Sequence, residues 1–308
     1  MARKRRGQPV HGWVLLDKPY GMTSTAAVAA VRRIFDANKA GHGGTLDPLA
    51  TGLLPIALGE ATKTVAFVTS GEKSYRFTLR WGEARSTDDA EGKVTATSDR
   101  RPSRAEIEAA LPRFVGEIEQ VPPAFSAIRI DGERAYDLAR AGEAVALAAR
   151  TVTIHDFRLL DEPDPDHARF AVVCGKGTYM RSLARDLALA LGTVGHIAAL
   201  RRTAVGRLGE SRAISLESLK SLGHSAAASG QLLPVETVLD DIPALALTDA
   251  EALRLRSGQS VGLLKLSDRE RLGLIKSGDL VCAMSGGKPV ALARWDAGDL
   301  RPVRVLHI

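Results

Sequence analysis

Cysteine is nearly absent from this chain: Cys174 and Cys282 are its two, and they lie far apart. A disulfide framework and a Cys-rich zinc site are therefore excluded, and the usage suits a reducing compartment. The seven histidines are scattered, with no helix-spaced pair and no His-Glu motif, so no metal is expected. Long hydrophobic runs are missing too, and no apolar stretch approaches the length that crosses a bilayer. The apolar stretch after Gly12 is cut short by Asp17, Lys18 and Pro19, which is too brief for a secretory signal. The expected setting is the cytoplasm, without a membrane partner.

What the chain does have is bulk and positive charge. Its 308 residues are 45% hydrophobic, enough for one large domain with a substantial core and a smaller second one. The formal charge is +6. A merely soluble basic protein would show the same total, so distribution matters more. Arg3, Lys4, Arg5 and Arg6 form a basic arm, and arginine pairs recur at Arg32-Arg33 and Arg201-Arg202. Dispersed clusters of this kind suit a polyanion touched in several places.

Periodicity predicts a mixed fold. Trp13 to Leu16 reads as a buried strand, and Thr23 or Ser24 can cap a helix with Val28, Val31, Ile34 and Phe35 on its apolar face. A Gly-rich loop spans Gly41 to Gly52, followed by a strand from Leu53 to Leu58 and a short helix from Glu60 to Val68. From Ser74 to Trp81 the chain alternates, with Tyr75, Phe77, Leu79 and Trp81 on one side and Ser74, Arg76, Thr78 and Arg80 on the other. Arg104 to Arg113 and Arg134 to Ala141 are expected helices, and Gln120 to Ile130 is expected to be extended. Strands at Val152 to Leu160 and Arg169 to Cys174 flank an acidic, Pro-containing turn, Asp161 to Asp166. Thr178 to Leu191 reads as an amphipathic helix and Val194 to Arg207 as extended chain. The class is α+β with a mixed, largely antiparallel sheet.

Ser221 to Gly230, rich in Ser, Ala and Gly, has the composition of a flexible connector. Beyond it, Thr248 and Glu251 form a capping box, and short strands follow with turns at Gly278-Asp279, Gly286-Gly287 and Gly298-Asp299. The expected division is a basic arm over residues 1–9, a catalytic domain over 10–220, a linker over 221–243 and a small β-rich module over 244–308.

The loop Gly41-His42-Gly43-Gly44-Thr45-Leu46-Asp47-Pro48-Leu49-Ala50-Thr51-Gly52 is the most unusual stretch. Glycines permit close approach of a ligand to the backbone, and Pro48 stiffens the residue before it. Asp47 on such a loop is either a positioned nucleophile or base, or an Asx-turn residue that caps backbone amides.

Here the sequence resembles a family. GHGGTLDPLATGLLPIALGEATK, preceded by LLDKPYGMTS, resembles the signature of the TruB family of bacterial tRNA pseudouridine-55 synthases. The likeness continues through SYRF, QVPPAFSAIRIDGERAYDLAR, GKGTYMRSLARDLA and HIAALRRTAVG, in order, over most of residues 10–207.

The resemblance implies an enzyme that cleaves the N-glycosidic bond of uridine 55 in the T loop of tRNA. The uracil then turns and rejoins the ribose through carbon. No atom leaves and no redox change occurs, so neither cofactor nor metal is called for. A carboxylate suffices, as covalent nucleophile or as stabiliser and base for a glycal-like intermediate.

By matching, Asp47 is the catalytic carboxylate, Tyr75 stacks on the target base, and Arg181 pairs with the Asp. His42 lies near the flipped nucleotide, Leu200 makes an apolar contact under the ring, and Lys18 is a pocket-side lysine. Each has a plainer reading: Tyr75 and Leu200 as core residues, Arg181 as a solvated helix charge, His42 as a loop histidine, Lys18 as an exposed cation. Asp88 and Asp89 read as a turn with RNA-facing polarity, and Arg129, where the family often has Lys, as a phosphate contact. The C-terminal module resembles a PUA-like domain through its Leu300-Arg301-Pro302-Val303 ending. The implied partner is the tRNA T arm, and a monomer is expected. A non-catalytic RNA-binding protein or tRNA folding chaperone is the rival: it needs the basic clusters, but not Asp47, Tyr75 and Arg181 together.

Overall fold

The computed structural model describes residues 7–126, 129–130, 133–134, 147–223, 226–264 and 266–308. The expected helix from Arg134 to Ala141 falls almost wholly outside them, as do the basic arm, residues 3–6, and the side chain of Arg129.

Ten strands make the main sheet: β1 (Gly12–Lys18), β2 (Ala40–His42), β3 (Ala50–Leu58), β4 (Lys73–Trp81), β5 (Gly116–Gln120), β6 (Arg150–Asp164), β7 (His167–Cys174), β8 (Gly195–Val205), β9 (Leu208–Gly209) and β10 (Ile214–Ser215). Their order is β10-β1-β3-β8-β4-β7-β6-β5, with β2 beside β3 and β9 beside β8. Most pairs are antiparallel, while β1–β10 and β3–β8 are parallel, as the α+β expectation requires.

Register decides what lies on each face. Leu16 sits opposite Leu54, Ala50 opposite Leu200, Leu200 opposite Phe77, and Phe77 opposite Phe170. Side chains alternate along a strand, so these residues share one face. Two separate cores form there. Helices α1 (Ser24–Ile34) and α5 (Leu216–Leu222) cover Val14, Leu16, Leu54 and Ile56. Helices α3 (Arg104–Ala110) and α4 (Met180–Ala190) cover Phe77, Leu79, Trp81 and Phe170. Tyr75 and Leu200 border both cores, and between the two helix pairs the face stays open. Each wall has its own cause. In α4, Met180, Leu183, Ala184 and Leu187 recur at helical spacing and are buried. Thr23 caps α1, its hydroxyl accepting from the Ala26 amide at 3.1 Å.

The opposite face of β1 and β3 is also buried. Trp13, Leu15, Leu53 and Ala57 pack there with Val205, Leu208, Val235 and Leu306. Burial on both faces explains the nearly unbroken apolar runs of these two strands.

Several boundaries differ from the sequence reading. The Gly-rich loop is shorter than Gly41 to Gly52, because β2 ends at His42 and β3 begins at Ala50. Ladder bonds to β1 and β8 hold Ala50 to Gly52 extended. The acidic segment Asp161 to Asp164 continues β6, and the turn is confined to Pro165-Asp166, since pairing with β7 runs on to Asp164–His167. Among its described residues, the connector expected over Ser221 to Gly230 includes the end of α5 and helix α6 (Ala226–Ser229), and Leu222 and Ala228 pack against the core.

A second, five-stranded sheet follows: β11 (Ala244–Ala246), β12 (Val261–Gly262), β13 (Leu280–Ser285), β14 (Lys288–Asp296) and β15 (Asp299–Val305), ordered β11-β13-β14-β15-β12. Helix α7 (Asp249–Arg256) opens on the Thr248–Glu251 capping box and buries Ala252 and Leu255 against it. This sheet does not stand apart from the main one. Leu306 inserts among Trp13, Leu53 and Val205, and Leu239, Cys282 and Leu292 pack with Phe67 of helix α2 (Val65–Ser70). Lys63 Nζ donates to the Val305 carbonyl at 2.8 Å, and the His307 amide to Glu60 Oε2 at 2.9 Å.

Leu306→Ala should therefore destabilise the whole chain by about 2–4 kcal/mol, the cost of truncating a buried leucine. The measurement is a thermal melt. A main transition that stays in place would mean that the second sheet is energetically separate.

Candidate active site

The loop from Gly43 to Leu49 is fixed by five neighbours. Ser24 Oγ, at the start of α1, donates to the Leu46 carbonyl at 2.9 Å and accepts from the Leu46 amide at 2.8 Å. The Gly43 amide donates to Pro55 O at 2.7 Å, and that of Gly21 to Pro48 O at 2.9 Å. Lys18, fully buried, donates from Nζ to the carbonyls of Met22 at 2.7 Å, Pro19 at 3.0 Å and Pro48 at 3.1 Å. Burial pulls its pKa down to about 8, against the attraction of Asp47. Arg202, 1% exposed, donates from Nε to Leu53 O at 2.8 Å, from Nη2 to Gly44 O at 3.0 Å and from Nη1 to Thr45 O at 3.3 Å. Gly43 and Gly52 make this closeness possible. A Cβ at Gly43 would strike Val68 of α2, and one at Gly52 would strike the Arg202 backbone.

Asp47 emerges from this loop with its side chain 39% exposed. Among the described residues its carboxylate caps no backbone amide, so the Asx-turn reading fails; its partner is Arg181. Arg181 Nε lies 2.9 Å from Asp47 Oδ2 without its N–H pointing at the oxygen, so charge rather than an aligned hydrogen bond holds the pair. The guanidinium is locked by other contacts. Nη1 donates to Thr87 O at 3.1 Å and Nη2 to Phe125 O at 3.0 Å, and Asp89 Oδ2 stands 3.7 Å from Nη1. Arg181 is therefore a buried cation shared by two carboxylates, rather than a solvated first-turn charge.

Asp88 and Asp89 form the expected turn but do not face outward. Asp89 is buried and accepts from the Glu91 amide at 3.1 Å, while Asp88 pairs with Arg185 at 2.9 Å. Buried carboxylates need cations, and α4 supplies both arginines.

A cleft of about 300 Å³ opens above the loop, bordered by Asp47, Tyr75, Arg181 and Leu200 together with Lys73 and Tyr179. Tyr75 lies opposite Arg202 across β4 and β8. Burial raises the Tyr75 phenol, and Arg202 opposes the shift. Four of the residues singled out from sequence thus meet around one space. Lys18 and His42 are not on its wall. Lys18, expected as a pocket-side lysine, lies beneath the Asp47-Pro48 turn, and its plainer reading as an exposed cation fails. His42 stands on β2 ahead of the loop with Nδ1 buried and unbonded, and burial lowers its pKa. The pair Arg201-Arg202 is not a free cationic patch either. Arg202 is spent on carbonyls, and Arg201 pairs with Asp17 at 2.9 Å and Glu210 at 2.6 Å. Sequence reading missed the internal role of Arg202; the apolar residues around it were the one available signal.

Comparison with known proteins converges on one family. The chain matches the TruB family pseudouridylate synthase N-terminal domain over residues 32–180 and the tRNA pseudouridylate synthase B C-terminal domain over 181–240. It belongs to the TruB family of pseudouridylate synthases. Full-length relatives named tRNA pseudouridine synthase B are 56% identical in Caulobacter vibrioides and in Rhodospirillum rubrum, with 100% of each chain covered. The relative from Bradyrhizobium diazoefficiens is 57% identical over 99% of this chain and 88% of that protein. Among solved structures, one chain of a Cbf5-Nop10-Gar1 complex is 28% identical with a TM-score of 0.69, covering 93% of this chain and 79% of that one. A chain of the archaeal box H/ACA sRNP Nop10-Cbf5 complex is 25% identical with a TM-score of 0.71, covering 99% and 92%. The TruB resemblance read from the sequence is thereby established, and with it an isomerase acting on RNA uridine.

Arg202→Lys tests the support of the loop. Lysine keeps the charge, but its single nitrogen cannot span the separate positions that three nitrogens of the planar fork reach. Turnover should fall at least tenfold while RNA affinity changes by less than tenfold, measured by single-turnover kinetics and filter binding. Unchanged turnover would show that the loop does not need this clamp.

Proposed function

We propose that this TruB synthase converts uridine 55 in the T loop of tRNA to pseudouridine, with Asp47 as its catalytic carboxylate. The observation that carries the proposal is a lone exposed carboxylate on a clamped loop, paired with buried Arg181 and facing a cleft with Tyr75 and Leu200 on its wall. The space is sized for one nucleotide rather than a duplex, so the target leaves its stack to enter, at a cost of roughly a few kcal/mol. Contacts to phosphates offset that cost, and the folded shape of the T arm is what such a surface reads.

Within the cleft, Asp47 acts on the ribose, by attacking C1′ or by serving as base for a glycal-like intermediate. The N1–C1′ bond breaks, uracil turns, and C5 bonds to C1′. The hydrogen displaced from C5 is balanced by one gained at N1, so the overall change is an isomerisation. Arg181 keeps Asp47 ionised and aimed. Tyr75 stacks on the base and Leu200 supports the ring, while His42 contacts the RNA just outside the cleft and Lys18 holds the loop from below. The chemistry calls for neither metal nor cofactor, and a cytoplasmic monomer is the natural form. The C-terminal PUA-like sheet, 244–308, carries the exposed cations Lys288, Arg294, Arg301 and Arg304, which extend the phosphate-contacting surface.

Asp47→Asn should abolish pseudouridine formation while tRNA affinity stays within about tenfold, roughly 1.4 kcal/mol. Appreciable multiple turnover by the Asn variant would sink the assignment. Tyr75→Phe should bind and flip normally, because stacking needs only the ring, whereas Tyr75→Leu should impair both. If the hydroxyl also helps remove the C5 proton, the Phe variant turns over far more slowly. Full activity in both variants would reduce Tyr75 to a core aromatic.

A further inference from the structure

The cleft is electrically uneven. One wall holds Arg181 between Asp47 and Asp89. Elsewhere on its border is Lys73, which strand alternation puts on the same face as Tyr75 and which is only 7% exposed. Its Nζ donates to Thr69 O at 2.6 Å and Gly71 O at 2.5 Å, closing the C-terminal end of α2. An ammonium has three donors, so one is left.

Among the described residues, no carboxylate pairs with Lys73. The charged groups acting on it, Arg202 and Lys176, are both positive, and burial is the larger influence lowering its pKa. The Cys174 thiol beside it is pushed up by burial to about 11 and brings no charge at neutral pH. The carbonyls at the end of α2 favour a cation, as those around Lys18 and Arg202 do, but the charge of Lys73 stays buried without a carboxylate, at a desolvation cost. That cost has a use when an anion enters the cleft. Lys176 is exposed between Gly175 and Gly177, which line the same cleft.

We propose that Lys73 is a substrate-binding residue that takes a phosphodiester flanking the flipped uridine through its third N–H, with Lys176 on the rim assisting. The inference rests on the RNA reading above and adds to it a specific anion seat. It also gives a binding reason for a lysine two residues before Tyr75 on the same strand face.

The test compares wild type with Lys73→Gln, whose amide keeps a donor for α2 but no charge, and with Lys73→Arg. Each is titrated with a T-arm stem-loop over a salt series, and with stem-loops carrying one neutral methylphosphonate beside the target. The Gln variant should bind about tenfold more weakly at low salt, with a log–log salt slope shallower by about 0.7–0.9, one counterion's worth. The Arg variant should keep the slope. Wild type should lose affinity for one of the two neutral linkages, and the Gln variant should lose little more on that linkage.

A wild-type slope in the Gln variant, with or without a lowered melting temperature, would reduce Lys73 to a helix cap and overturn the proposal. So would a methylphosphonate penalty that persists in full without the charge. If the Gln variant does not fold, the linkage scan on wild type decides, because insensitivity at both flanking positions overturns the assignment. Conversion of the unmodified stem-loop by wild type is the control. Its failure would count against the uridine-55 reading rather than against Lys73.

Discussion

Two buried cations that bind carbonyls, rather than carboxylates, are what the rest of the site depends on. Lys18 gathers Pro19, Met22 and Pro48, and Arg202 gathers Gly44, Thr45 and Leu53. A Gly-rich loop left to itself samples many conformations, and fixing each residue costs about 1–2 kcal/mol. Charge-assisted hydrogen bonds, each contributing about 1.5–3 kcal/mol, are strong enough to oppose that cost at several points. The loop is thereby rigid although its sequence favours freedom. Asp47 can then be held in the open without being used as a structural cap.

The position of this clamp follows from the sheet. Parallel pairing of β3 with β8 brings Gly52 against Arg202, and antiparallel pairing of β8 with β4 brings Tyr75 against the same arginine. Helices cover this face in two groups, leaving a gap over the junction of β3, β8 and β4. The cleft is thus a seam between two cores, with Tyr75 and Leu200 touching both. Gly43 packed on Val68, and Phe67 packed near Cys282 and Leu292, link the loop through α2 to the second sheet. The C-terminal sheet accordingly supports the catalytic domain as well as extending its surface.

Arg181 shows how a helix residue becomes part of a loop's chemistry. Two carbonyls fix its Nη groups, and its Nε is left facing Asp47 without an aligned hydrogen bond. Fixed dipoles and charges of this kind need little reorganisation when charge develops in a reaction. Asp89 on the other side balances the guanidinium, so that the arginine can be buried at all.

Much of this was legible in the sequence. Alternation along β4, the apolar stripe of α4 and the Thr248–Glu251 box set elements that local periodicity and capping can specify. The loop motif pointed to Asp47, and the ordered blocks to a TruB synthase. Residue type alone misplaced some charges: Arg202, one of a pair taken as a cationic cluster, and Asp88 and Asp89, taken as an RNA-facing turn, are all turned inward. Local sequence determined which segments form strands and helices and which family the chain belongs to, because period and motif are properties of neighbouring residues. Tertiary structure alone decided which charges are buried and what they bind, because their carbonyl and carboxylate partners come from distant strands brought together by register.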